Sequence, residues 1–125
     1  WAREELPPEA ALETRLARFE SLTRLPAADL VNSGFALPFC AAEAFPALWA
    51  AIRACLPPGG RFSGHLLGPR DSWAAPCVTV DDAELTSLLD GFAAEWHEVE
   101  ECDGTTPAGD PKHWHIHHLV LRRTA

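Results

Sequence analysis

The sequence holds no methionine, and lysine is sparse. It opens on Trp1, so it is expected to begin after the natural start of its reading frame. No apolar run approaches the roughly 20 residues that a bilayer-spanning helix needs. The start is acidic, with Glu4 and Glu5, and has no apolar stretch of the signal-peptide kind. A cytoplasmic location is therefore expected, with no membrane partner. None of the four cysteines, Cys40, Cys55, Cys77 and Cys102, forms a Cys-x-x-Cys pair. Without secretory context, reduced thiols are favoured over two disulfides. Internal repeats and low-complexity tracts are also absent.

What is present bounds the rest. A length of 125 residues allows one domain at most. Apolar residues make up 47% of the chain, enough for a real core. The formal charge of −8 repels phosphate backbones, which argues against nucleic acid and for a small, neutral or cationic substrate.

Along the chain, residues 1–6 read as the tail of a helix stopped by Pro7 and Pro8. Residues 12–19 alternate in polarity and read as an edge-like strand. Residues 29–33, centred on Leu30 and Val31, read as a strand buried on both faces. Phe45, Leu48, Trp49, Ile52 and Leu56 fall on one helical stripe. Pro46 is tolerated there because the first-turn N–H groups have no helical partner. Pro57, Pro58, Gly59 and Gly60 then turn the chain into a strand over 61–67. Residues 68–77 read as a loop. Asp81 with Glu84 has capping-box spacing ahead of a helix with Leu85, Leu88, Leu89 and Phe92 on its buried face, ended by Gly91. Residues 94–101 and 114–122 read as strands, with a turn-rich stretch over 102–112. Strands alternating with helices indicate a parallel α/β sheet, and the last two strands, joined without a helix, an antiparallel hairpin.

Five blocks in this order carry a resemblance: Ala17-Arg18-Phe19-Glu20, residues 28–39, Pro57-Pro58-Gly59-Gly60-Arg61-Phe62, Arg70-Asp71-Ser72-Trp73 and Lys112-His113-Trp114-His115. The chain resembles the C-terminal portion of a class I S-adenosylmethionine-dependent methyltransferase, and most nearly the small tellurite-resistance-like enzymes. The resemblance implies a partial Rossmann-like α/β sheet forming one incomplete domain over 1–125, with helices packed on it. Residues 12–19, 29–33, 61–67, 94–101 and 114–122 would be strands three to seven of the family order 3-2-1-4-5-7-6. Strands one and two, with the Gly-x-Gly cofactor loop and the ribose-binding carboxylate, would precede Trp1. Without them, methyl transfer to a small-molecule acceptor would be lost or very weak in this chain. Strand 12–19 would lose its neighbour. It is expected to pair with 29–33, to join a second copy of the chain, or to fray.

Ligands in open α/β sheets bind beyond the carboxyl ends of the parallel strands. The resemblance places S-adenosylmethionine against Phe19, Glu20 and Ser21 on the adenine side, and against Asn32, Ser33, Gly34 and Phe35 near the sulfonium. The alternatives are an exposed turn and a tight strand exit. Arg70, Trp73, Lys112, His113, Trp114 and His115 are expected at the substrate rim, the alternative being a solvated loop with Trp73 as a packing anchor. His113 and His115 are the candidates for a general base, although methyl transfer often needs none. His113, His115 and His117 share a strand face, which raises a histidine-rich metal-binding domain as an alternative. No carboxylate or cysteine shares that face at close spacing, and no metal is expected. A non-catalytic binding or pairing module is the other alternative.

Overall fold

The computed structural model describes residues 2–125, with side chains from Glu4 on. A short helix α1 (Ala2–Glu5) opens the described chain; Trp1 lies outside the described residues. Three further segments form where expected: strand β1 (Leu30–Ser33), helix α2 (Phe45–Cys55) and strand β2 (Arg61–Leu67). β1 is not buried on both faces, however: it is the sheet's edge strand, and Leu30 and Asn32 are exposed. Helix α3 (Asp82–Leu88) begins at the expected capping box: Asp81 accepts from the Glu84 N–H, and Glu84 accepts from the Asp81 N–H. Gly91 (φ 80°) turns the chain immediately afterwards, and Phe92 opens a strand instead of ending the helical stripe.

Strands β3 (Phe92–Thr105) and β4 (Pro111–Arg123) are longer than their local polarity suggests. Asp103 and Gly104 read as turn residues, yet they pair across the ladder with His113 and Lys112. Cross-strand pairing overrides local turn preference here. The reversal is confined to residues 106–110. There Gly109 (φ 90°) donates to the Thr106 carbonyl, and Asp110 donates to the Thr106 hydroxyl.

The sheet order is β1-β2-β4-β3. β1 and β2 are parallel, with Val31 opposite Phe62; β4 is antiparallel to both β2 and β3. This is a mixed α/β sheet with a C-terminal hairpin, as expected. Phe62, Leu66, Leu119 and Leu121 are buried on one face, packed with Leu48, Trp49 and Ile52 of α2 and with Leu85 of α3. Trp49 meets Phe62 edge-on at 5.0 Å, and its indole N–H donates to the Leu88 carbonyl. All four cysteines are free thiols. Among the described residues no helix is long and apolar enough to cross a membrane.

The strand expected over 12–19 is absent, which matches the fraying outcome and not pairing with 29–33. Residues 12–19 form no strand and do not pair with β1; they run irregularly over the surface until a 3-10 turn at Phe19–Ser21. Leu16 is fully exposed. Alternating polarity stabilises a strand only when a neighbour supplies the ladder and covers the apolar face. Neither is provided here.

Candidate functional site

The carboxyl ends of β1 and β2 open onto a cleft of about 700 Å³. Phe35, just beyond β1, and Leu67, the last residue of β2, form one side. Trp73 from the following loop, Trp114 and Ile116 from β4, and Pro38 and Phe39 close it. Glu100 and Thr105 of β3, with Thr106 and Pro107 of the hairpin turn, complete the wall. The position follows from topology: the parallel strands end at the same edge, and the antiparallel hairpin brings the end of β3 and the start of β4 to it.

One buried ion pair organises the rim. After β2, the chain stays beside β4: Gly68 donates to the His115 carbonyl and Ser72 to the His113 carbonyl. Asp71 is thereby carried inside. Its carboxylate accepts from the Lys112 ammonium and from the N–H groups of Trp73 and His115, both at 2.9 Å. Both charged side chains are fully buried. The ammonium also lies 4.2 Å from the ring centroids of Trp73 and Trp114. Lys112 thus holds the two indoles of the cleft wall in place. A buried charge is tolerated only when paired and hydrogen-bonded in this way.

Strand periodicity separates the other rim residues. Trp114 and Ile116 face the cleft, whereas His113 and His115 lie on the opposite face of β4. His113 is 2.7 Å from Asp103 and 3.4 Å from Glu101. Its pKa is raised, chiefly by the hydrogen bond to Asp103. His115 is buried, and its Nδ1 accepts the Arg70 N–H at 3.1 Å. Its Nε2 lies 3.3 Å from the Arg70 guanidinium, so one arginine meets both ring nitrogens. Gly68 makes room for the ring, since a Cβ there would lie 2.2 Å from the imidazole. The Arg70 guanidinium pairs with Glu101 at 2.7 Å and holds that carboxyl down to about 2. Glu101 is the carboxylate beside the histidines that sequence spacing does not show, because it arrives from the neighbouring strand opposite His115. Among the described residues, no group of three or more His, Cys, Asp or Glu side chains is arranged to hold a metal ion.

The residues assigned to the cofactor divide into two groups. Asn32, Ser33, Gly34 and Phe35 sit at the β1 exit, beside the cleft, and the space where a Gly34 Cβ would stand is open. Phe19 packs on the core, and the turn of Phe19, Glu20 and Ser21 rests against α2 instead of lining the cleft. Glu20 lies close enough to Cys40 to add to the burial effect that raises the thiol pKa.

Sequence reasoning missed Phe39, Glu100 and the Thr105–Pro107 wall. Phe39, four residues after Phe35, was legible as a second aromatic near the strand exit. Glu100 was not, because its place depends on the β3/β4 register.

Solved structures of methyltransferases are among those that share this fold. TehB from Haemophilus influenzae superposes with a TM-score of 0.77 at 13% identity, covering 98% of this chain and 43% of TehB. The N-methyltransferase NodS from Bradyrhizobium japonicum WM9, in complex with S-adenosylhomocysteine, gives 0.60 at 14% identity, covering 87% and 53%. The Burkholderia thailandensis 1,6-didemethyltoxoflavin-N1-methyltransferase, with bound 1,6-didemethyltoxoflavin and S-adenosylhomocysteine, gives 0.53 at 20% identity, covering 86% and 48%. The chain thus spans about half the length of the proteins it matches. No family model and no curated protein sequence matches it. The β1-β2-β4-β3 sheet with its terminal hairpin is the 4-5-7-6 half of the class I methyltransferase sheet, and the chain has that fold.

Proposed function

We propose that this chain supplies the acceptor-side portion of a methyltransferase that moves the methyl group of S-adenosylmethionine to a small molecule. The observation carrying the reading is the aromatic cleft, which lies where the parallel strands of a methyltransferase sheet end. Two structural neighbours, NodS and the 1,6-didemethyltoxoflavin-N1-methyltransferase, hold S-adenosylhomocysteine, and the second also holds 1,6-didemethyltoxoflavin.

The residues present fit one edge of the cofactor. Open space at Gly34 lets the cofactor approach the backbone of the β1 exit closely. The chain has no Gly-x-Gly, so the rest of the cofactor would need further structure. When bound, the cofactor supplies an electrophilic methyl group. This chain's own part is to present the acceptor in line and to exclude water, which is where much of the rate of such a displacement originates. The cleft's apolar wall and the rings fixed by Lys112 serve that task. His113 and His115 face away from the cleft, so proton acceptance at the acceptor is assigned to Glu100 instead.

Calorimetry tests the reading. The 125-residue chain should give no heat with micromolar S-adenosylmethionine. A chain extended upstream of Trp1 by a strand, a Gly-x-Gly loop and a helix should bind it in the micromolar range. Absence of binding by the extended, folded chain would remove the enzyme reading. A second reading, a non-catalytic pairing module, draws on the exposed segment 12–19 and its fully exposed Leu16; it would then lead. A small-molecule acceptor, and not nucleic acid or membrane, is the proposed partner.

A further inference from the structure

The cleft's wall chemistry restricts what it can hold. Glu100 is the one ionisable residue among those lining it. The cations nearby are committed elsewhere: Lys112 to Asp71 and Arg70 to Glu101. An oxyanion would therefore meet a carboxylate and four aromatic rings, with no cation to receive it.

A simple organic cation is also poorly served. The electron-rich indoles of Trp73 and Trp114 already face the Lys112 ammonium at 4.2 Å, which lowers their attraction for a second cation. The same polarisation leaves them good partners for a neutral ring. Phe39 lies 6.0 Å from Trp73, and Phe35 lies 6.2 Å from Trp114.

Two walls are tied together behind the cleft. Phe35 is stacked on His65 at 4.1 Å with 5° between planes. His65 meets His118 edge-on at 4.9 Å, and His118 Nε2 is 2.7 Å from Glu100. One continuous chain of contacts fixes both an aromatic face and an acceptor oxygen.

We propose that the cleft takes a planar nitrogen heteroaromatic ring bearing an N–H, laid among Phe35, Phe39, Trp73 and Trp114 with that N–H donated to Glu100. Calling this ring the methyl acceptor rests on the methyltransferase reading; its binding does not. A volume of about 700 Å³ accommodates a bicyclic ring with space left over.

The test is an NMR titration of the 125-residue protein at pH 8, followed at the Trp73 and Trp114 indole N–H signals. Benzimidazole should shift both, with low-millimolar or tighter affinity. 1-Methylbenzimidazole, which lacks the donor, should bind at least threefold more weakly. Cyclohexylamine and tellurite should shift neither signal. Glu100→Ala should cost benzimidazole threefold or more while changing 1-methylbenzimidazole less than twofold. The comparison of the two rings on the unmodified protein stands even if that variant does not fold. Equal affinity for the two rings, no response to benzimidazole, or an equal response to tellurite or cyclohexylamine would overturn the proposal. Benzimidazole binding without cofactor binding in the extended chain would remove the methyltransferase reading and leave the ring site. Cofactor binding with benzimidazole silent would do the reverse.

Discussion

Replacing Asp71 with asparagine leaves the Lys112 ammonium fully buried without its counter-charge. It also leaves three donors, the ammonium and the N–H groups of Trp73 and His115, competing for one amide oxygen. An exposed ion pair contributes about 0–1 kcal/mol. This one has no exposed surface on either side chain, so the cost of breaking it falls in the buried range, about 3–5 kcal/mol. Domains of this size are stable by about 5–15 kcal/mol, so the variant should lose about a fifth or more of the total. Lys112→Met should be milder than Asp71→Asn. Its carboxylate keeps two backbone donors, and the apolar side chain still fills the space between the indoles. The double variant should be more stable than the summed single losses imply, because neither orphaned charge remains. Urea unfolding followed by circular dichroism measures all three. Single losses below about 1 kcal/mol, or a double variant equal to the sum, would refute the argument that this pair is buried and coupled.

Gly64→Ala should break the β1/β2 pairing, since its Cβ would lie 2.4 Å from the Ser33 carbonyl oxygen; amide exchange at residues 30–33 should accelerate, with a stability loss of about 1–3 kcal/mol. The His113 imidazole, raised by Asp103, should titrate above 6.5 by NMR, and Asp103→Asn should lower it. It favours folding below its unfolded pKa, and that contribution disappears as pH rises through the raised folded value. His65 and His117 act in the opposite sense, because burial depresses both. Their unfolded forms take up protons first, so stability should fall as pH drops from about 6.5 toward the lowered folded values. Leu16→Asp should leave monomer stability within about 0.5 kcal/mol of the parent. Sedimentation should show a loss of self-association only if segment 12–19 pairs two copies.

The fold was legible wherever local pattern and tertiary packing agree. The α2 stripe, the capping box at Asp81 and the Pro57–Gly60 turn each encode their geometry within a few residues. Segment 12–19 shows the limit of that reading: alternation states which face would be buried, but not whether anything lies opposite. The hairpin shows the converse. Asp103 and Gly104 have turn chemistry, yet β4 carries a continuous partner for them, and the ladder prevails. Of the site, the aromatic blocks around Phe35, Trp73 and Trp114 could be placed from strand ends alone. Glu100 and Glu101 required the register. Lys112 was placed at the substrate rim from its motif, but the structure puts its ammonium beneath the indoles, because Asp71 enters only when the loop after β2 follows β4.

The central claim is that the β1 exit and the aromatic cleft form one continuous ligand edge. Amide shifts on titrating S-adenosylhomocysteine into the upstream-extended chain test it most directly. The account predicts that the largest changes within residues 1–125 fall at Asn32, Ser33, Gly34 and Phe35, with smaller ones at Trp73 and Trp114. Binding whose largest changes in this region fall instead on the β3 edge or around α3 would contradict it.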